Sequence, residues 1–141
     1  MGMSTDESQE KKMAHVLIVE DDSFISLFLE KKLTELGYSA KVAGSTAQAL
    51  EVLSSTAVDL ILLDIILPDE NGFTLLERLK KNPAYQEIPV VILSNLGQQS
   101  EIDRGKQLGA VDFLVKGNYS PAEIVDRITA ILNQKTKPSH T

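Results

Sequence analysis

The sequence predicts an α/β domain, a doubly wound five-stranded parallel sheet with helices on both faces. Three observations carry this. Five short apolar runs recur along the 141 residues, at 15–19, 39–43, 60–63, 90–93 and 113–115. The segments between them are longer and place their apolar residues three and four apart, the spacing of a helix face. The runs are also continuous rather than alternating, as in strands buried on both sides. Strand and helix in strict alternation, joined by right-handed crossovers, give a parallel sheet covered on both faces.

Residues 1–13 are polar and charged without periodicity and are expected to be disordered, leaving 14–134 as the folded domain. "HVLIV" then opens the sheet. The following helix carries Ile25, Phe28, Leu29, Leu33 and Leu36 as its predicted buried stripe, and Gly37 supplies its stop. After "SAKVA" comes a shorter helix between Ala47 and Leu53, and after "LILL" another between Phe73 and Leu79. "VVIL" precedes the segment from Gln98 to Leu108, which offers only Ile102 and Leu108 as apolar anchors and contains Gly105. It is expected to be the loosest helix of the five. "FLV" closes the sheet. Ser120 and Pro121 read as the N-cap and first turn of a last helix, with Ile124, Val125, Ile128, Ile131 and Leu132 as its stripe. The segment 135–141 reads as a second disordered end.

Bulk composition narrows the function. A hydrophobic content of 43% suffices for one sizeable core, and the length suits one domain. With no cysteine, disulfides and thiolate metal sites are excluded, and a cytoplasmic setting is the easy fit. His15 and His140 have no partner at metal-ligand spacing. A net charge of -6 argues against a chain that itself grips nucleic acid. No apolar stretch is long enough to span a bilayer, so no membrane role is expected.

In "LILLDIILPDENG" one carboxylate, Asp64, stands between four aliphatic residues and three more. An ionised carboxylate against apolar surface costs several kcal/mol unless compensated. Open α/β sheets collect their ligands beyond the carboxyl ends of the strands. At those ends stand Glu20, Asp21 and Asp22 after the first strand, Asp64 after the third, Ser94 and Asn95 after the fourth, and Lys116 after the fifth. Each alone reads as the start of a solvated loop. Together they have a chemistry: converging carboxylates repel unless a cation intervenes, and an all-oxygen donor set suits Mg2+. Lys116 adds a positive charge and Ser94 a hydroxyl, so the parts suffice to move a phosphoryl group onto Asp64.

With these residues in place, the chain from about 14 to 134 resembles the receiver domains of bacterial response regulators. The carrying stretches are "VLIVEDD", "LILLDIILPDENG", "VVILSN" and "GAVDFLVKG". The resemblance implies a flavodoxin-like sheet of order 2-1-3-4-5, with Asp64 as phosphoacceptor. It makes Asp21 a direct Mg2+ ligand, Glu20 a ligand mainly through water, and Ile66 the donor of a backbone carbonyl to the ion. Ser94 would bind the new phosphoryl group, Lys116 would bridge to it, and Phe113 sits where the family keeps an aromatic residue that changes rotamer on activation. Asp22 is expected to be a solvated loop residue. Two positions depart from the family pattern: Gly117 stands where a cis-proline usually follows the lysine, and Asn95 where a small residue usually follows the serine.

The function so implied is a single-domain response regulator of a two-component phosphorelay, a phosphoacceptor rather than an enzyme. It would be charged by a histidine kinase or phosphotransfer protein and would signal to a downstream protein, as a monomer or weak dimer. Ile66 and Leu96 would flank the path of an attacking water, and being apolar would slow loss of the phosphoryl group. An aspartyl-nucleophile magnesium phosphatase would want a second acid where Ile66 stands. A flavin-binding domain would want a phosphate cradle where "EDDSF" stands. A receiver serving only as a scaffold would not need the set Glu20, Asp21, Asp64, Ser94 and Lys116.

Overall fold

The structure, a computed structural model, describes residues 13–136. Five strands, β1 (His15–Val19), β2 (Ser39–Ala43), β3 (Leu60–Leu63), β4 (Val90–Ser94) and β5 (Asp112–Val115), alternate with five helices. These are α1 (Ser23–Glu35), α2 (Thr46–Ser55), α3 (Gly72–Lys80), α4 (Gln99–Gln107) and α5 (Pro121–Thr136). All strand pairs are parallel and the order is β2-β1-β3-β4-β5, as expected. The expected strands hold, with one residue added to the end of β4 and one to the start of β5. The last helix runs through Thr136, two residues into the segment expected to be a disordered tail. Residues 1–12 and 137–141, the rest of the expected disorder, lie outside the described residues.

The continuous apolar strands are buried on both faces because alternate side chains feed two separate cores. Leu17, Val19, Ile61, Leu63, Val90, Ile92 and Phe113 meet Ala49 and Leu53 of α2 and Phe73, Leu75, Leu76 and Leu79 of α3. Val16, Ile18, Leu60, Leu62, Val91, Leu93 and Leu114 meet Leu29 and Leu33 of α1 and Ile124, Val125, Ile128 and Leu132 of α5. Each fully buried Leu or Ile contributes about 1.5–3 kcal/mol.

Helix starts follow local chemistry. Asp22 caps α1, its Oδ1 accepting from the Phe24 and Ile25 amides; Ser45 caps α2 and Asn71 caps α3. At α5 the expected Ser120 cap is reciprocal: Ser120 Oγ accepts from Glu123 N, and Glu123 accepts from Ser120 N. Asp22 is thus solvent-exposed, as expected, but it is the cap of α1 rather than a bare loop residue. Gly37, at φ +96°, stops α1.

The stripe expected on α1 is corrected. Leu29 and Leu33 are buried and Ile25 packs at the edge, but Phe28 and Leu36 face solvent with Phe24 and Leu27. Among the described residues no element covers the flank of α1 away from the sheet, where Phe24, Leu27, Phe28 and Leu36 are exposed.

Helix α3 comes so close to β3 that its first residue has no room for a side chain. A Cβ on Gly72 would fall 2.3 Å from the Asp64 carbonyl oxygen and 2.9 Å from Ile65 Cα, while the Gly72 amide donates to Ile65 O at 2.7 Å. A Cβ on Gly117 would meet nothing within 4 Å beyond its chain neighbours. Gly72→Ala therefore forces backbone apart and should destabilise by about 1–3 kcal/mol, whereas Gly117→Ala should stay within roughly 0.5 kcal/mol of the parent. Urea unfolding of the two variants checks this; equal midpoints would refute the close approach.

Candidate functional site

The topology brings the polar strand ends together at the point where strand order reverses, between β1 and β3. Val19 and Leu63 are register partners, the Asp64 amide donates to Val19 O, and the Glu20 amide donates to Ala43 O. The two carboxylates therefore emerge side by side. Lys116 begins one turn of 3-10 helix, residues 116–118, just past β5, and its side chain reaches back across the end of β4.

There the Lys116 ammonium holds both acids: Nζ lies 2.8 Å from Glu20 Oε1 and 3.1 Å from Asp64 Oδ2. The other oxygens are occupied by backbone amides. Asp22 N donates to Glu20 Oε2 at 3.0 Å, and Ile66 N to Asp64 Oδ1 at 3.3 Å. Asp21 is exposed at the rim, with a carboxylate oxygen in a cluster that also takes one from Glu20 and one from Asp64, all within 4.8 Å of one another.

Burial pushes the Glu20 carboxyl above its usual range; the Lys116 and Asp22 bonds offset this only in part, and the Asp64 charge adds to it. Burial alone would lower Lys116. The hydrogen bond to Glu20, with the charge and bond of Asp64, outweighs it, and the ammonium is held above the ordinary lysine value. Lys116 therefore stays charged at neutral pH. Three carboxyl groups face one ammonium, a surplus of acidic oxygen donors over positive charge. An all-oxygen site with that surplus fits a hard divalent ion, and the residues able to hold it are Glu20, Asp21 and Asp64.

Other expected residues are placed differently. Asp64 is only 5% exposed, so its carboxylate is largely covered rather than standing open at its strand end. Ser94 is buried at the end of β4, and its Oγ accepts from Leu96 N at 3.1 Å. Ile66 exposes 57% of its surface at the rim, and Leu96 is partly buried and packs against one of the two cores. Phe113 is already inward, its ring against Gly105 of α4, where a Cβ would approach it to 3.0 Å. Gly105, expected to weaken α4, is thus the residue that lets the helix sit down on the sheet. The Lys116 turn needs no special peptide: all bonds among the described residues are trans, and Gly117 does not adopt a positive φ.

Two supporting residues escape a reading of strand ends. Asn71 caps α3 and bridges back to Ile66, closing the loop that follows Asp64; an Asn just before an apolar helical run is a local signal that could have found it. Asp69 caps α2 through the amides of Thr46 and Ala47, and nothing within its own stretch of sequence announces a partner 22 and 23 positions earlier.

Comparison with known proteins agrees with this geometry. Residues 16–129 match the response regulator receiver domain. The chain is 34% identical over 142 aligned positions to the "Probable transcriptional regulator ycf27" of Cyanidium caldarium, covering 96% of this chain and 55% of that protein. It is 35% identical over 119 positions to the phosphate regulon transcriptional regulatory protein PhoB of Pseudomonas aeruginosa, covering 84% and 52%. It spans about half the length of these curated relatives. Among solved structures, the non-phosphorylated HemR receiver domain from Leptospira biflexa superposes with a TM-score of 0.80 at 30% identity, covering 90% of this chain and 99% of that one. No helix among the described residues is long and apolar enough to cross a membrane. With its sheet order, its acid pair bridged by a lysine and this match over most of its length, the chain belongs to the response regulator receiver domain family.

Proposed function

We propose that Asp64 accepts a phosphoryl group from a phosphohistidine on a histidine kinase or phosphotransfer protein, and that the resulting change of shape is read by a downstream protein. The observation that carries this is the Lys116 ammonium shared between Glu20 and Asp64, with Asp21 completing a carboxylate cluster. In the reaction an Asp64 oxygen forms the O–P bond as the N–P bond to the donor imidazole breaks. Glu20, Asp21 and Asp64, with the Ile66 carbonyl, would hold Mg2+, and the ion when bound neutralises charge on the transferring group. Lys116 does the same from the protein side, and because two carboxylates hold it charged it needs no proton uptake during transfer. The Ser94 hydroxyl, whose oxygen accepts from Leu96 N, retains its own proton to donate to a phosphoryl oxygen.

The phosphoryl group adds about -1.5 to -2 charges at neutral pH. Ser94 and Lys116 are the groups able to answer it; Ser94 ends β4 and Lys116 follows β5, the strands on either side of α4 in the chain. That region is where the change of shape would be read. With a net charge of -6 we place the reader among proteins rather than nucleic acids.

Incubation with a small phosphodonor such as acetyl phosphate and Mg2+ should add one phosphoryl mass, which should not form when the metal is chelated beforehand or in Asp64→Asn. Labelling of that variant equal to the parent would refute the assignment. Loss of label should be slow, because Ile66 stands at the rim without a polar group to orient an attacking water. Ile66→Asn should hasten it severalfold, on the order of tenfold. Decay unchanged in that variant would show that water access at Ile66 does not set the lifetime.

A further inference from the structure

The connection from Asp64 to Asn71 carries the proposed phosphoacceptor and the Ile66 carbonyl, and it is tied to another part of the molecule by Asp69. Asp69 Oδ1 accepts from Thr46 N and Oδ2 from Ala47 N, both at 3.0 Å. These are the first two amides of α2, which have no partner within a helix. Ser45 already caps α2 locally by accepting from Gln48 N at 3.2 Å, so Asp69 is a second cap brought from 22 to 23 residues away. The Thr46 amide first, then that of Ala47, hold the Asp69 carboxyl below the usual range.

The corner that Asp69 grips also holds the other half of the acid cluster. Ala43, the last residue of β2, accepts from Glu20 N at 2.9 Å, and the chain then turns through Gly44 and Ser45 into α2. The corner is stiffened from within by Gly44 N donating to Gln48 Oε1 at 2.7 Å and is seated by the buried side chains of Thr46 and Ala49. Residues 20–21 and 64–66 are therefore both referred to one rigid corner, the first by a strand hydrogen bond and the second by Asp69. At its other end the loop is pinned to its own helix, by Glu70 with Arg78 at 3.2 Å and by the Ile66–Asn71 bridge, and neither contact reaches Glu20 or Asp21.

We infer that Asp69 is a positioning residue that fixes the 64–71 loop against the β2–α2 corner and so sets the spacing between Glu20–Asp21 and Asp64–Ile66 that a divalent ion requires. This rests on the reading of the carboxylate cluster as a Mg2+ site.

The test compares Asp69→Ala and Asp69→Asn with Ser45→Ala, which removes a cap from the same helix without touching the loop. Mg2+ affinity is measured by titration of backbone amide NMR shifts, and amide hydrogen exchange of residues 66–71 is followed without metal. Asp69→Ala should weaken Mg2+ binding roughly tenfold, the lower end for outer partners of metal ligands, and should speed exchange across 66–71. Asp69→Asn, which keeps one acceptor, should fall between it and the parent. Ser45→Ala should lower the melting temperature yet keep parental Mg2+ affinity and parental loop exchange. Parental Mg2+ affinity in both Asp69 variants overturns the inference, as does an equal loss of affinity in Ser45→Ala, which would make it an effect of helix stability. A parent that binds no Mg2+ refutes the site reading and the spacing role with it, and the metal-free exchange then still reports separately whether Asp69 holds the loop.

Discussion

The arrangement depends on one contact, the Lys116 ammonium held between Glu20 and Asp64. Two carboxylates packed at the ends of adjacent buried strands would repel each other at short range in a poorly solvated place. Removing one partner from such a buried set leaves charge uncompensated, typically at a cost of about 3–5 kcal/mol. Lys116 comes from the far side of β4, so its bond closes the carboxyl edge of the sheet over three strand ends. The same contact leaves acids in excess of positive charge, because one ammonium faces three carboxyl groups. A fold that needs the lysine for stability is thus left with a surplus suited to a divalent cation.

That edge can be polar because the two faces of the sheet carry the stability. Each of the three central strands sends alternate residues into one core or the other, so the site stands on a layer with almost no freedom to shift. Close packing extends to the site itself at Gly72, where α3 rests on the backbone of Asp64. The position of the Asp64 carbonyl is thereby set by helix packing rather than by the flexibility of its loop.

Strands and acids were legible because both are local signals. A run such as "LILL" records burial on two sides, and a carboxylate interrupting it records a compensated charge. The α1 face was misjudged at Phe28 and Leu36 because three-and-four spacing says which residues share a side, and says nothing about how wide a neighbour covers it. The covering of Asp64 was out of sight because sequence shows the end of a strand but not the lysine bonded to it. Asp69 was out of reach for a related reason: its partners are backbone amides, which have no sequence identity to recognise. Gly105 looked like a defect in α4, since helix propensity counts the missing side chain as a loss, while packing against Phe113 counts it as a fit.

Helix α4 has a mechanical property that follows from that fit. Gly105 is its one fully buried residue, so the middle of the helix lies directly on Ile92 and Phe113, with Ile102 and Leu108 only partly buried against the same core. Its far end is clamped: the Gly109 turn lies on the methylenes of Lys80, and Ala110 N returns to Gly105 O. Its near end is joined by residues 95–98 to the strand that ends in Ser94. The helix is thus held by one close backbone contact at its middle and a hydrogen-bonded turn at its end, rather than by a deep row of side chains.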